Sequence, residues 1–386
     1  MKLLIISYVF PPHAAGAATV MHNLCKNLPV DKYVVITTSE GLSLRRGVYD
    51  KEYALDCSKT RLPVYTAGLL DQFVFFLLAV FRGVLLNRKE RISSVLAVYP
   101  FYFDLLAGYV LHRLLNKPLI VYMHDLFSET NRSARLYKIW FYSEKMVLSS
   151  ASKVLVMNEK YVEHYSSRGI QNTAVLPPSI DLNEYAAYDS TSPRLARDSR
   201  KLQIVYTGSI GPPQEEAVLT FLEAAAKLDD VEVHIASQSG KGSMKEHVYK
   251  YVREMNVGFL PKKECIALQK NADVLFLPLF GNSIYPEEIE VAFPCKLLEY
   301  LAAGKPILAL VPRGSFVENL VNKYEVGVVV DDLSVDKTIA AINLLKNVKL
   351  RGMLSQNALR TVKLFDSRRL CKQLFNIVNE VEAQTA

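Results

Sequence analysis

The chain has 386 residues, half of them hydrophobic and 22% charged, with a formal net charge of +7. That length points to two or three domains with large cores, and the composition excludes disordered, collagen-like and low-complexity classes. The densest basic cluster, Arg88-Lys89-Glu90-Arg91, is too short for the basic face of a nucleic-acid binder.

In chain order, Leu3–Ile6 reads as a buried first strand. Its apolar run is too short for a leader peptide, and Pro11-Pro12 follow at once. Further strands are expected at Val34–Thr37, Val95–Val98, Leu119–Tyr122 and Val154–Val156. Segments with helical periodicity lie between them, as at Thr19–Leu28 and Phe103–Leu115. The apolar stretch Phe73–Leu86, broken by Arg82, falls short of the roughly 20 residues that a spanning helix needs. With Arg88, Lys89 and Arg91 it suits an interfacial helix over 73–91, and it suits a core helix as well.

Residues 184–200 are polar and turn-rich and read as a linker after a first domain at 1–183. The alternation resumes over 201–365, with strands at Gln203–Thr207, Val231–Ala236, Val274–Pro278, Pro306–Leu310 and Gly327–Val330. Helices are expected at Glu215–Leu228, Glu264–Asn271, Lys296–Ala303, Ser315–Lys323 and Val335–Leu345. A last segment, 366–386, reads as a helix packing back on the first half. Strand–helix alternation implies an α/β chain with a parallel sheet in each half, covered on both faces. Ligands bind such sheets at the carboxyl ends of the strands, and two facing sheets create one cleft for two substrates.

Residues 1–190 hold 21 Lys and Arg against 16 Asp and Glu, and the remainder holds 25 against 23. The excess therefore sits in the first half, where it fits weak attraction to an anionic surface or ligand, or an ordinary solvated face. The five cysteines (Cys25, Cys57, Cys265, Cys295 and Cys371) form no C-x-x-C and no metal-ligand spacing, which suits a reducing compartment.

Several segments carry chemistry. Tyr8 to Thr19 leaves the first strand and opens a helix, with Gly16 giving close backbone access for an anion at the helix N-terminus; a plain tight junction is the alternative. His124-Asp125 ends a strand where ligands bind. His124 can donate a hydrogen bond or shuttle a proton, and Asp125 can orient it or take the proton; a loop-capping His is the alternative. Leu176-Pro177-Pro178-Ser179-Ile180-Asp181 marks a rigid turn. Gly208-Ser209-Ile210-Gly211 repeats the strand–turn–helix cradle in the second half, without a nearby Lys or Arg in sequence.

The most informative segment is Phe293 to Pro306. Pro294 suits a first helical turn and Gly304 a helix stop. Lys296 and Glu299, three apart, share a face. There an ammonium can meet a phosphate and a carboxylate can accept from a ribose diol, or the two can form a surface ion pair.

Taken together, these segments resemble, in the same order and over nearly the whole chain, the retaining glycosyltransferases of family 4, and most closely the bacterial subgroup that builds cell-surface polysaccharides. The resemblance implies a GT-B fold, with two facing Rossmann-like domains and an interdomain cleft. The first domain would bind the acceptor and the second a nucleotide-sugar donor. It further implies that Glu299 holds the donor ribose, that Gly16 brings backbone amides near the phosphates, and that His124 faces the donor sugar or the acceptor. His124, Asp125 and Lys296 would form the catalytic set. Gly16, Gly208, Ser209, Lys241, Pro294, Lys296 and Glu299 would form the donor set. No metal or other cofactor is implied, and no Asp-x-Asp is present. The acceptor would be a glycan or a lipid-linked sugar. The protein would be cytoplasmic, at the inner face of the membrane, with contact through 73–91 and no nucleic-acid partner.

Two features depart from the family. Val291 stands where many members carry the first of two glutamates, with Glu290 adjacent and out of register, and Ser209 to Gln214 contain no Lys or Arg. Lys296, then Lys241, are the candidates for the phosphate. A GT-B epimerase, with carboxylates such as Asp125 and Glu129, and a non-catalytic nucleotide-sugar-binding partner are the other readings. A two-domain dehydrogenase fits less well, since neither half has G-x-G-x-x-G after its first strand.

Overall fold

A computed structural model describes residues 2–11, 16–38, 59–62, 68–99, 101–126, 137–187, 201–237, 260–280 and 286–385. Lys241, Glu129 and most of the expected linker lie outside these residues. The chain forms two units, Met1–Ser179 with Ser367–Ala386, and Ile180–Asp366.

The first unit contains strands β1 (Leu3–Ile6), β2 (Tyr33–Thr38), β3 (Lys59–Leu62), β4 (Ser94–Val98), β5 (Leu119–Met123), β6 (Lys153–Val156) and β7 (Thr173–Val175). All pair in parallel in the order β3-β2-β1-β4-β5-β6-β7. In register, Leu3 faces both Tyr33 and Ser94. Every residue of β1, β2, β4 and β5 is buried. A parallel sheet covered on both faces requires this, and it is why these strands read as unbroken apolar runs. The strand order reverses at β1 and β4, which places a ligand crevice at their carboxyl ends.

The helices of this unit are α1 (Gly16–Cys25), α2 (Leu69–Glu90), α3 (Tyr102–Leu115), α4 (Tyr137–Ser150) and α5 (Glu159–Ser167). At 22 residues α2 is long and apolar enough to cross a bilayer, longer than its uninterrupted apolar run suggested. It buries only Phe75, Ala79 and Gly83, so the core-helix reading of this stretch does not hold.

The second unit contains β8 (Leu202–Thr207), β9 (Val231–Ala236), β10 (Val274–Pro278), β11 (Ile307–Leu310) and β12 (Gly327–Val330), parallel in the order β12-β11-β10-β8-β9. Its helices are α6 (Leu182–Ala186), α7 (Pro212–Ala225), α8 (Lys262–Asn271), α9 (Pro286–Val291), α10 (Cys295–Ala303), α11 (Phe316–Lys323), α12 (Val335–Leu345) and α13 (Val348–Thr361). Here the reversal falls between β8 and β10. Phe221 of α7 stacks on Phe276 of β10, with ring centroids 4.0 Å apart, and anchors the core.

The expected boundary at 183/184 cuts through α6. That helix belongs to the second unit, because Tyr185 is buried there and donates its hydroxyl to Gln269 Oε1 at 3.4 Å. The last helix, α14 (Ser367–Thr385), belongs to the first unit and packs on α1. Gln373 Nε2 donates to the Val175 carbonyl at 2.8 Å, and Ser94 Oγ donates to Glu382 Oε1 at 2.8 Å.

Candidate active site

In the second unit, the crevice edge is built by the end of β8, the turn that follows it, α8 and α10. Gly208 leaves β8 with φ of +131°, a conformation that only glycine adopts without strain. A Cβ at this position would lie 1.8 Å from Lys296 Cε, so the lysine side chain runs directly over the glycine backbone. Lys296 Nζ then donates to Tyr206 Oη at 3.2 Å and sits 5.2 Å from the centre of that ring. The Tyr206 hydroxyl donates in turn to the Ser209 carbonyl at 2.5 Å, which ties the turn to the strand. The basic residue missing from the glycine turn is thus supplied by α10.

The helix that opens this cradle offers fewer donors than the pattern suggested. Pro212 and Pro213 begin α7 and carry no N–H, and the Gly211 N–H is taken by Gln214 Oε1 at 3.1 Å. The dipole end remains, and the ammonium of Lys296 is the donor group poised beside it.

Glu299 lies one turn further along α10, half-buried, but it does not form an ion pair with Lys296. Its Oε2 instead accepts from Gln269 Nε2 at 3.2 Å, and the same amide donates to Thr207 Oγ1 at 2.9 Å. The Thr207 N–H donates to the Tyr300 hydroxyl at 3.2 Å. Loss of water raises the Glu299 pKa, opposed chiefly by Lys262, by the Gln269 hydrogen bond and by Lys296. Loss of water likewise lowers that of Lys296, opposed by Glu299. Burial thus disfavours the charged form of each group, a cost that an incoming partner would offset.

Pro294 caps α10 with extended ψ and receives the Leu297 N–H on its carbonyl at 2.9 Å. Val291 is buried in the core and Glu290 is exposed, so the helix register that removes the first glutamate turns an apolar side chain inward. Gln269 was not singled out from the sequence, and Tyr206 and Thr207 were read only as part of the strand-and-turn segment, with no role for their side chains. Neutral side chains on a helix and a strand carry no spacing signal, and only the fold brings them to Glu299 and Lys296.

In the first unit, His124 follows β5 and is 6% exposed. Neither ring nitrogen has a hydrogen-bond partner among the described residues. Burial pushes its pKa down to about 3, so the ring is neutral near pH 7, with one N–H to donate and one lone pair to accept. Asp125 is exposed and does not orient this ring. The ring is set by the edge of Tyr122, 4.3 Å away, and by Tyr161, whose hydroxyl donates to the His124 carbonyl at 3.1 Å. At the neighbouring edge, wholly buried Asp104 accepts the Tyr8 N–H on Oδ2 at 2.8 Å, fixing the chain as it leaves β1. Gly16 heads α1, and no atom of the described residues would meet a Cβ there. Gly208, Ser209, Pro294, Lys296 and Glu299 therefore gather in the second unit, and Gly16, His124 and Asp125 lie in the first.

The pattern of the Glycosyltransferase Family 4 family matches residues 14–184, and that of Glycosyl transferases group 1 matches residues 201–347. No protein with a curated description matches the sequence. Sucrose-phosphate synthase from Thermosynechococcus elongatus has a similar structure, with TM-score 0.74, 16% identity and 100% of both chains covered. HepE from Anabaena, solved with UDP-glucose, is similar with TM-score 0.70 and 13% identity, covering 98% of this chain and 100% of that one. A glycosyltransferase from Rickettsia africae gives TM-score 0.69 at 14% identity, covering 98% of each. The two sequence matches span both units, and the structural likeness runs end to end. The chain belongs to the family 4-like glycosyltransferases of GT-B fold.

Proposed function

We propose that this glycosyltransferase takes a sugar from a nucleoside diphosphate sugar and passes it, with retention of configuration, to a glycan or lipid-linked acceptor. The observation that carries the reading is Lys296 lying over Gly208 with Glu299 one turn away, at the switch point of the second sheet. The fold likeness to HepE, a protein solved with UDP and with UDP-glucose, supports a nucleotide-sugar donor.

In this reading the diphosphate sits at the Gly208–Gly211 turn, where the ammonium of Lys296 and the dipole end of α7 meet the charge that grows as the sugar departs. Glu299, held by Gln269, accepts from the ribose hydroxyls. Neutral His124 donates to a sugar hydroxyl. Asp125, exposed beside it, is available to the acceptor. Lys296 supplies the positive charge for the leaving group, and the transfer runs without a metal. The physiological role is assembly of cell-surface polysaccharide on the cytoplasmic side of the membrane.

The test is slow donor hydrolysis followed by proton NMR, with UDP-, GDP- and ADP-sugars of α configuration and with EDTA present. The α-anomer should appear first from one donor and be insensitive to EDTA. First release of the β-anomer would overturn retention, and a converted sugar still bound to nucleotide would mark an epimerase.

A further inference from the structure

Two helices of the first unit turn apolar, basic faces to solvent. On α2 the buried positions Phe75, Ala79 and Gly83 recur every four residues and form the stripe that seats it on α3. A Cβ at Gly83 would come within 2.5 Å of Leu111 Cδ1, so the helices touch there. On the opposite side Leu70, Phe73, Val74, Leu77, Phe81 and Leu85 are exposed, Leu70 by 74% and Phe81 by 59%. At 1.5 Å per residue this row runs for roughly 22 Å. Arg88 and Arg91 continue it, and Arg82 and Lys89 flank it.

The same design recurs on α4. Glu144, Val147 and Leu148 face inward, with Glu144 Oε1 paired to Arg168 at 2.9 Å. Lys138, Ile139, Tyr142, Lys145 and Met146 face outward, Ile139 by 63% and Tyr142 by 67%. Between the two helices lies α3, with Phe103 against Phe73 at 5.9 Å and Tyr102 against Trp140 at 6.4 Å. Neither exposed face carries an acidic residue. Asp71 is half-buried, and Glu90 is held by Lys2 at 2.6 Å.

We propose that α2 and α4 together form a docking face for an anionic phospholipid leaflet. Both helices lie in its plane, their apolar side chains among the upper acyl chains and their Lys and Arg heads at the phosphates. Charge complementarity selects this partner. Two apolar rows on helices packed against α3, each with exposed Lys or Arg on its own helix, suit a surface that is fluid and apolar beneath and negative above. The buried stripe of α2 keeps it seated on its own unit, which favours lying in the plane over crossing it. The inference extends the reading of a lipid-linked acceptor but needs no substrate for its test, so either can fail alone.

The purified full chain would be floated with vesicles of phosphatidylcholine and with vesicles of phosphatidylcholine mixed with phosphatidylglycerol. It should float only with the mixture, and high salt should release most of it. Lys138→Glu with Lys145→Glu should cut the floated fraction roughly tenfold, and so should Leu77→Gln with Phe81→Gln, each with an unchanged thermal melt. No flotation, or equal flotation with neutral vesicles, would overturn the proposal. A Lys138→Glu/Lys145→Glu variant that floats like the parent would remove α4 from the face. Retention through an alkaline carbonate wash would show a crossing helix instead. A dimer that dissociates on Leu77→Gln/Phe81→Gln would assign the face to a second copy of this chain.

Discussion

The ligand edges of the two units are prepared in opposite ways. In the second unit the polar groups are already paired with one another: Lys296 with Tyr206, Tyr206 with the Ser209 carbonyl, Glu299 with Gln269, and Gln269 with Thr207. In the first unit the edge keeps buried polar atoms unpaired among the described residues: both ring nitrogens of His124 and Oδ1 of Asp104. A buried polar group left without a partner costs about 1–3 kcal/mol. The second edge therefore holds its polar side chains in a connected hydrogen-bond set before any ligand arrives. At the first edge, hydrogen-bonding capacity is left unused among the described residues, which suits the proposed ligand contact there. In the proposed reading one sheet architecture serves two tasks, and the difference lies in a few side chains just beyond the strand ends.

Variants should separate the two edges. The largest effect is expected from Lys296→Ala, which removes the charge proposed to meet the leaving group and should lower turnover by about a hundredfold with little change in fold, read in steady-state assays. Glu299→Ala should weaken nucleoside diphosphate binding by about thirtyfold, the worth of hydrogen bonds to a charged group, read by calorimetry. Gly208→Ala places a methyl group where Lys296 Cε lies. The flexible lysine can move aside, but a φ of +131° strains any residue that carries a Cβ, so the melting temperature should drop along with a roughly tenfold loss of turnover.

Gln269→Leu should raise the donor KM by about fivefold and leave kcat near its original value, because the amide holds Glu299 and does not touch the reacting atoms. Gln269→Glu would break the comparison if it restored normal KM, since a second carboxylate cannot donate to Glu299. The smallest effect concerns His124. Its folded pKa of about 3 lies below the unfolded value of about 6.5. Between those pH values the unfolded chain binds the extra proton, so stability falls as pH drops from about 6.5 toward 3 and is unaffected above that range. His124→Gln should flatten this part of the denaturant-midpoint curve, and an unchanged slope would place another group there.

Much of the second unit was legible because its strands are short apolar runs closed by Gly and Pro, and its helices are amphipathic. Four expected strands or helices there, Val231–Ala236, Val274–Pro278, Gly327–Val330 and Val335–Leu345, match the structure end to end. The helix α7 starts three residues earlier than expected, at Pro212, because a proline at a helix start gives up an N–H that would have no partner. The helix α13 was missed. Its polar sequence hides the buried positions Leu354, Ala358 and Thr361, although Asn347 caps it by accepting from the Lys349 and Leu350 N–H groups at 3.0 and 3.2 Å. The edge strands β3 and β7, four and three residues long, are too short for any period to show. At the site, Lys296 and Glu299 were readable from their spacing on one helix. Their separate partners were not, since Tyr206 and Gln269 lie far away in sequence and meet them only through the sheet and α8.

The most direct test is calorimetric titration of the purified chain and of Glu299→Ala with UDP, GDP and ADP, with and without EDTA. The donor cradle requires that one of these diphosphates bind the parent chain tightly, that EDTA leave its affinity unchanged, and that Glu299→Ala weaken it by more than about tenfold. Binding of none of them, or equal affinity in the variant, would contradict the assignment of the Gly208, Lys296 and Glu299 edge as the donor site.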